Sequence, residues 1–338
     1  MMKALTAWGQ FLGGLAADDN VLNLPDPLFQ GARTAKIRAG QYNGWFSPEF
    51  VDLSLREWST ALQPAHLERW MPHAQATQPQ TIALILAGNL PLVGLHDVLS
   101  VWVSGHRALV KLSSDDKELF PPLAAVLFYL EPEFNDLLRF SAGQLHDFNA
   151  VIATGSNNSA RYFEYYFGKY PHIIRKNRTS CAILTGVETP DDLGLLANDL
   201  FQYFGLGCRS VTQLWIPEDF DLNRVFAAIL PWDRLMDNNK YHNNYQYQRA
   251  IFMLNRVPFL ENGFVLFREH LQMGAPVSVV HYQRYSRMEQ VNEYLQQHAE
   301  ELQCVVGSNQ AVGFGQTQQP SLWDYADGVD TLAFLASL

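Results

Sequence analysis

Residues 81–87, Thr-Ile-Ala-Leu-Ile-Leu-Ala, form a continuous apolar run of strand length, closed by Gly88-Asn89-Leu90-Pro91. A strand that offers water neither face is covered on both, as in a parallel sheet packed between helices. The residues that follow keep that frame. Residues 92–103 predict a helix, Gly105 ends it, and Ala108-Leu-Val-Lys111 is the next strand. A helix through residues 124–129 precedes a third strand, Phe148-Asn-Ala-Val-Ile-Ala-Thr154. Gly155-Ser156 then lead into a helix full of aromatics, and Ala182-Ile-Leu-Thr185 is a fourth strand. This alternation predicts an α/β fold with a doubly wound, parallel sheet.

The flanks are less regular. Residues 4–16 place Leu5, Trp8, Phe11, Leu12 and Leu15 at helical spacing. Residues 20–44, rich in Asn, Asp, Pro and Gly, predict an irregular arm. Ser47-Pro48-Glu49 reads as a helix start, with a serine cap, a proline at the first position and an early acid. In the second half, residues 211–216 predict a strand and Pro217-Glu-Asp opens a helix. Residues 233–249 are polar and suit a surface helix or a flap. Residues 264–267, 277–281 and 304–307 predict short strands, and residues 286–303 an amphipathic helix. The expected organisation is an N-terminal arm and helix (1–46), a nucleotide-binding domain (47–186) and a catalytic domain (187–325). A last segment (326–338) is expected to return to the nucleotide-binding side.

A chain of 338 residues can hold two cores. Its net charge of -10 argues against nucleic acid as the main partner, because phosphate backbones need a basic surface. Three cysteines, Cys181, Cys208 and Cys304, are odd in number and far apart, without zinc-ligand spacing. A reducing cytoplasm is therefore the expected compartment, with no metal. The first residues lack the apolar core of a signal peptide, and no apolar run reaches membrane-spanning length.

Residues 203–211, Tyr-Phe-Gly-Leu-Gly-Cys-Arg-Ser-Val, place Cys208 between an amphipathic stretch (191–204) and a strand. Such a junction is where a rigid frame holds chemistry. Taken alone, a cysteine there is more often a buried, inert one. In doubly wound sheets, however, ligands bind beyond the carboxyl ends of strands. Here those ends carry Asn89, then Lys111-Leu-Ser113-Ser114-Asp115, then Thr154-Gly155-Ser156. Gly155 and Ser156 open a helix, so their N–H groups could face a phosphate.

In this order and spacing the segments resemble the aldehyde dehydrogenase superfamily, and within it the acyl-CoA reductases of the bioluminescence (LuxC) type. Asn89-Leu-Pro-Leu is similar to the superfamily's Asn-Phe-Pro-Leu, and residues 105–114 to its Gly-Asn…Val-Leu-Lys-Pro-Ser. Thr154-Gly155-Ser156 matches Thr-Gly-Ser, and Gly205-Leu-Gly-Cys208 matches Gly-Gln-x-Cys with Leu206 for Gln. The resemblance covers the chain from about Ser47 onward. It implies a Rossmann-like cofactor domain beside an α/β catalytic domain, with Cys208 as nucleophile. Asn89 would donate to the oxyanion. Lys111 and Ser113 would hold the adenosine ribose, and Thr154, Gly155 and Ser156 would line the pyrophosphate and nicotinamide.

Two departures shape the expected reaction. Where oxidising members carry the Glu of Glu-Leu-Gly-Gly-Lys, this chain has Arg175-Lys-Asn-Arg-Thr179. Without that base, water is a poor acceptor for an acyl-enzyme. Ser114 replaces the Glu that binds a ribose 2′-OH, which leaves room for a 2′-phosphate near Lys111 and Arg107, against the charge of Asp115 and Asp116. The expected cofactor is therefore NADPH, with NADH possible, and the expected substrate an acyl-CoA or other acyl thioester. The resemblance also implies a homo-oligomer and leaves room for an acyl-transferring partner protein. The alternatives are a CoA-independent aldehyde dehydrogenase and a catalytically silent nucleotide- or partner-binding protein. His96 and His172 are candidate proton donors, Glu269 a candidate ribose ligand, and Arg175 and Arg178 face CoA phosphates or water. Phe163, Tyr165, Tyr166 and Phe167 belong to an acyl tunnel or, at their spacing, to the core.

Overall fold

Residues 81–85 form β1 (Thr81–Ile85), in which Ile82, Ala83 and Leu84 are fully buried. The computed structural model describes residues 1–71 and 76–338. These divide into two units, Met1–Asn177 with Ser321–Leu338, and Arg178–Pro320.

In the first unit, helices α1 (Met2–Ala16), α2 (Asp26–Tyr42), α3 (Pro48–Ala61) and α4 (Pro64–Trp70) precede β1. Then come α5 (Leu95–Val103), β2 (Arg107–Lys111), α6 (Phe120–Leu130), β3 (Leu138–Phe140), β4 (Ala150–Thr154), α7 (Asn157–Phe167) and β5 (His172–Arg175). The strands pair in the order β3-β2-β1-β4-β5, all parallel. The chain first builds outward from β1 to β3, then returns to the other side of β1 with β4. That reversal makes the gap between β1 and β4 the switch point at which such sheets bind ligands. Ser47 caps α3 as its sequence implies, accepting the Phe50 N–H at 3.3 Å.

The expected irregular arm is instead largely α2. Its Asn, Asp and Pro residues lie at the ends, and the interior glycine, Gly31, is tolerated. Between the ends Phe29, Ala32, Ala35 and Ala39 make one buried stripe, and a proline with Asp26 occupies the first turn.

The second unit runs β6 (Thr179–Ile183), α8 (Pro190–Phe201), β7 (Val211–Pro217), α9 (Asn223–Ile229) and α10 (Asn239–Leu254). It continues with β8 (Leu260–Glu261), β9 (Leu266–Glu269), β10 (Val279–Tyr285), α11 (Met288–Gln297) and β11 (Leu302–Val306). A final helix, α12 (Thr331–Ala336), belongs to the first unit. The second sheet has the order β11-β6-β7-β10-β9-β8, antiparallel only at β8. Of the polar stretch 233–249, residues 239–249 fall in α10, whose Tyr241, Tyr245 and Phe252 are buried, and the first residues form a separate 3-10 turn before it.

The fourth expected strand, β6, thus lies in the second sheet rather than the first. The residues 176–178 that separate it from β5 are too few for the crossover a parallel neighbour needs, roughly a dozen residues or more. β5, short and unpredicted, takes the edge of the first sheet, and the chain passes on. Among the described residues no helix is long and apolar enough to cross a membrane.

Candidate active site

In the second unit, α8 ends at Phe201 and the chain turns sharply before β7. Tyr203, Phe204 and Gly205 all take positive φ, at 53°, 58° and 71°. Glycine tolerates that region, whereas bulky aromatics do so at a cost of about 1 kcal/mol or more each. Burial holds them there: both rings are enclosed, and Phe204 packs against Tyr241 of α10 at 5.9 Å between centroids.

A second turn follows at once. The Ser210 N–H donates to the Gly207 carbonyl at 3.0 Å, and the Gly207 N–H to Ser210 Oγ at 3.2 Å. Cys208 and Arg209 are the two central residues of this turn. Cys208 is half-buried. Arg209 Nε donates to the Thr317 carbonyl at 2.5 Å, and Gln318 Nε2 donates to Ser210 Oγ at 3.2 Å. Residues 315–317 are fixed in turn by Asp199 of α8, whose carboxylate accepts the Gly315 and Thr317 N–H groups at 2.6 and 3.0 Å. The other two cysteines differ from Cys208. Cys181 is fully buried in β6, and burial with the nearby Cys304 pushes its thiol up to about 12. Cys304 lies on β11.

In the first unit, the expected cofactor residues gather at the carboxyl edge of the sheet. Lys111 ends β2 and Thr154 ends β4, on either side of β1. Lys111, Asn89 and Ser156 are exposed, and Ser113 is half-buried. The loop that carries Asn89 is held from three directions. Ser54 Oγ donates to the Pro91 carbonyl at 2.8 Å, Asn43 Nδ2 to the Gly88 carbonyl at 3.4 Å, and the Leu92 N–H to Asp116 Oδ2 at 3.1 Å. Gly88 has to be glycine: a Cβ there would lie 2.6 Å from Ser113 Cβ and Oγ. Sequence spacing gives no sign of Asn43 and Ser54 here, and it reads Asp116 only as an acid near the cofactor, not as a holder of this loop. Asp116 is buried and keeps one oxygen without a partner, and burial pushes its carboxyl up to about 7.

Ser156 caps α7, accepting the Ser159 N–H at 3.2 Å. The Gly155 N–H does not face a phosphate. It donates to the Arg175 carbonyl at 3.3 Å as a continuation of the β4–β5 ladder. Gly155 instead permits close packing, since a Cβ would meet Phe163 and Ser159 at 2.9 Å.

Several candidates have other work. Arg175 is buried, neither exposed to water nor placed for CoA. It pairs with Asp97 Oδ2 at 2.6 Å and donates to Thr331 Oγ1 at 3.0 Å. Arg178 donates to the Leu302 carbonyl at 2.9 Å. The His96 ring packs against Trp70 and Tyr325, and its Nε2 meets the Leu322 carbonyl at 2.8 Å; burial lowers its pKa. His172 opens β5, at the amino edge of the sheet and away from the carboxyl edge where ligands bind. Arg107 likewise opens β2 at the far end from Lys111. Glu269 is exposed at the end of β9. On α7, Phe163 and Phe167 are partly buried against β4 and its neighbours, while Tyr165 and Tyr166 point to solvent at 82% and 61% exposure. These tyrosines are therefore neither core nor tunnel lining. Among the described residues no group of three metal-ligating side chains comes together.

No protein-family model matches this chain, and no curated protein does. Solved structures do match. An indole-3-acetaldehyde dehydrogenase of P. syringae, in complex with NAD+ and IAA, is 12% identical, with a TM-score of 0.62 over 90% of this chain and 71% of that one. A Mycobacterium tuberculosis aldehyde dehydrogenase complexed with NAD+ is 13% identical, with a TM-score of 0.62 over 89% and 72%. An acetylating aldehyde dehydrogenase from Geobacillus thermoglucosidasius is 11% identical, with a TM-score of 0.59 over 90% and 76%. At such identities the likeness is one of fold. The chain has the aldehyde dehydrogenase fold, a Rossmann-like parallel sheet followed by a second, mixed α/β sheet.

Proposed function

We propose that this protein reduces an acyl thioester, such as an acyl-CoA, to an aldehyde through an acyl group carried on Cys208, in the manner of the LuxC-type reductases. The observation that carries the reading is the place of Arg175. Where the resemblance puts the base of a hydrolytic dehydrogenase, this chain has a buried cation locked to Asp97. A cation there cannot draw a proton from water, so deacylation by water is disfavoured. Reductive release needs no such base.

The residues of the first unit suit a nicotinamide dinucleotide. A cation and a hydroxyl, Lys111 and Ser113, follow β2, and Ser156 stands at the amino end of the eleven-residue helix α7 beside the switch point. That helix end favours an anion. Thr154 borders the same edge. Of the two acids that argued against a 2′-phosphate, Asp116 turns inward to the Leu92 N–H, leaving Asp115 exposed. The proposed cofactor is NADPH, with NADH as second choice. When bound, it supplies the hydride that reduces the acyl group.

The chain's own residues do the rest. The Cys208 thiolate forms a C–S bond to the thioester carbonyl, and the CoA thiolate departs. The Asn89 amide donates to the oxygen that becomes negative in that step, as an oxyanion donor. After reduction, the same oxygen re-forms a carbonyl, the aldehyde leaves and the Cys208 thiolate is regenerated. The test is incubation with acetyl-CoA and with hexadecanoyl-CoA, followed by peptide mass spectrometry. Acyl mass on Cys208 and NADPH oxidation are expected with one of them. Steady oxidation of aldehyde to free acid without CoA would assign a hydrolytic dehydrogenase instead.

A further inference from the structure

Ser180 lies on β6, the strand next to the edge of the second sheet, fully buried, with β7 on one side and the edge strand β11 on the other. Both ladders break at this point. The register of β6 against β7 shifts between Ser180 and Cys181, and that of β11 against β6 shifts between Leu302 and Val305. Breaks of this kind re-aim groups beside active sites. Here the Ser180 hydroxyl fills the gap. It accepts the Cys304 N–H at 3.2 Å, lies 3.0 Å from Cys304 Sγ, and donates to the Cys208 carbonyl at 3.0 Å.

A hydroxyl has one proton to give and two lone pairs. With the Cys304 N–H and S–H as donors, all three are used, and the single proton goes to Cys208. The other clamps on the turn, at Gly207, Arg209 and Ser210, hold its flanks. Ser180 holds the peptide plane of Cys208 itself.

We propose that Ser180 is a positioning residue for Cys208, fixing the backbone from which the thiol is presented. This rests on Cys208 being the nucleophile. The expected result is that Ser180→Ala slows both acyl transfer from acyl-CoA and alkylation of Cys208 by iodoacetamide roughly tenfold, as one lost buried hydrogen bond can. The KM for acyl-CoA and for NADPH stays the same, and Ser180→Thr, which keeps the hydroxyl, recovers most of the rate. Cys304→Ala leaves the bond to Cys208 in place and stays within about twofold of wild type. Wild-type rates in Ser180→Ala overturn the proposal. So does an equal loss in Cys304→Ala, which would mean general loosening of β11. If wild-type Cys208 takes up no acyl group, the catalytic reading fails by itself, and the iodoacetamide rates still decide whether Ser180 orients the thiol.

Discussion

Asp116 offers the most direct physical test. Its carboxyl is buried under the Asn89 loop and held at about 7 against an ordinary 3.8, chiefly by burial, with the Leu92 N–H pulling the other way. An acid whose pKa is raised on folding binds its proton more tightly when folded. Its contribution is best below the unfolded value and falls as pH climbs toward the folded one. The raised value corresponds to roughly 4 kcal/mol in all, of which the larger part, roughly 2–3 kcal/mol, is lost between pH 5 and pH 8. Asp116→Asn keeps an oxygen to accept the Leu92 N–H and removes the titration. The variant's stability relative to wild type should therefore rise by roughly that amount between the two pH values, whatever its offset at pH 5. Urea unfolding followed by circular dichroism, at matched ionic strength, measures the gap. A gap equal at pH 5 and pH 8 refutes a proton held by burial. A gap that shrinks means the carboxylate is ionised and paired at neutral pH.

Four other outcomes follow from the site. Cys208→Ala should abolish acyl uptake with the fold intact by circular dichroism, whereas Cys181→Ala should leave the rate alone. Asn89→Ala should lower the rate of acyl transfer roughly a hundredfold with nucleotide affinity little changed, as loss of one oxyanion donor does; weakened nucleotide binding at normal rate would remove it from that role. An aldehyde with NADP+ should give one burst of NADPH by stopped-flow absorbance, about one per site, and turn over steadily only with added CoA. Arg175→Met should destabilise the first unit by about 3–5 kcal/mol in urea unfolding, because Asp97 is left buried and unpaired; a stable variant with weakened CoA binding would return Arg175 to the substrate.

Local pattern carried the strands well because a strand buried on both faces has a distinctive composition. β1, β2 and β4 fall where the apolar runs are. The strand-end positions of the residues proposed for the site were legible for the same reason: the end of a run is visible in sequence. Failures came where sequence distance misleads. Asn43 reaches the Gly88 carbonyl from 45 positions away, and Arg175 meets Asp97 across 78. Neither pairing leaves a trace in local spacing. α2 was hidden because Pro25 and Pro27 lie at its cap and in its first turn, where they favour a helix, and composition alone counts them against one. The exposed tyrosines of α7 have helical spacing, which says they share a surface but not what covers it.

The settings of the three cysteines differ, and the difference favours Cys208 as the nucleophile candidate. Cys181 sits inside a regular strand, and desolvation holds its proton. Cys304 points its sulfur at a hydroxyl within a strand ladder. Cys208 alone among the three occupies a turn entered through three consecutive positive-φ residues. Two of those residues are aromatic, so the conformation is opposed locally and must be enforced by packing, here by enclosed rings and the Tyr241 contact. A chain that only needed to connect α8 to β7 could do so without that cost. Strain enforced just before Cys208, with Cys181 desolvated inside a strand and Cys304 in a strand ladder, favours Cys208 as the proposed nucleophile.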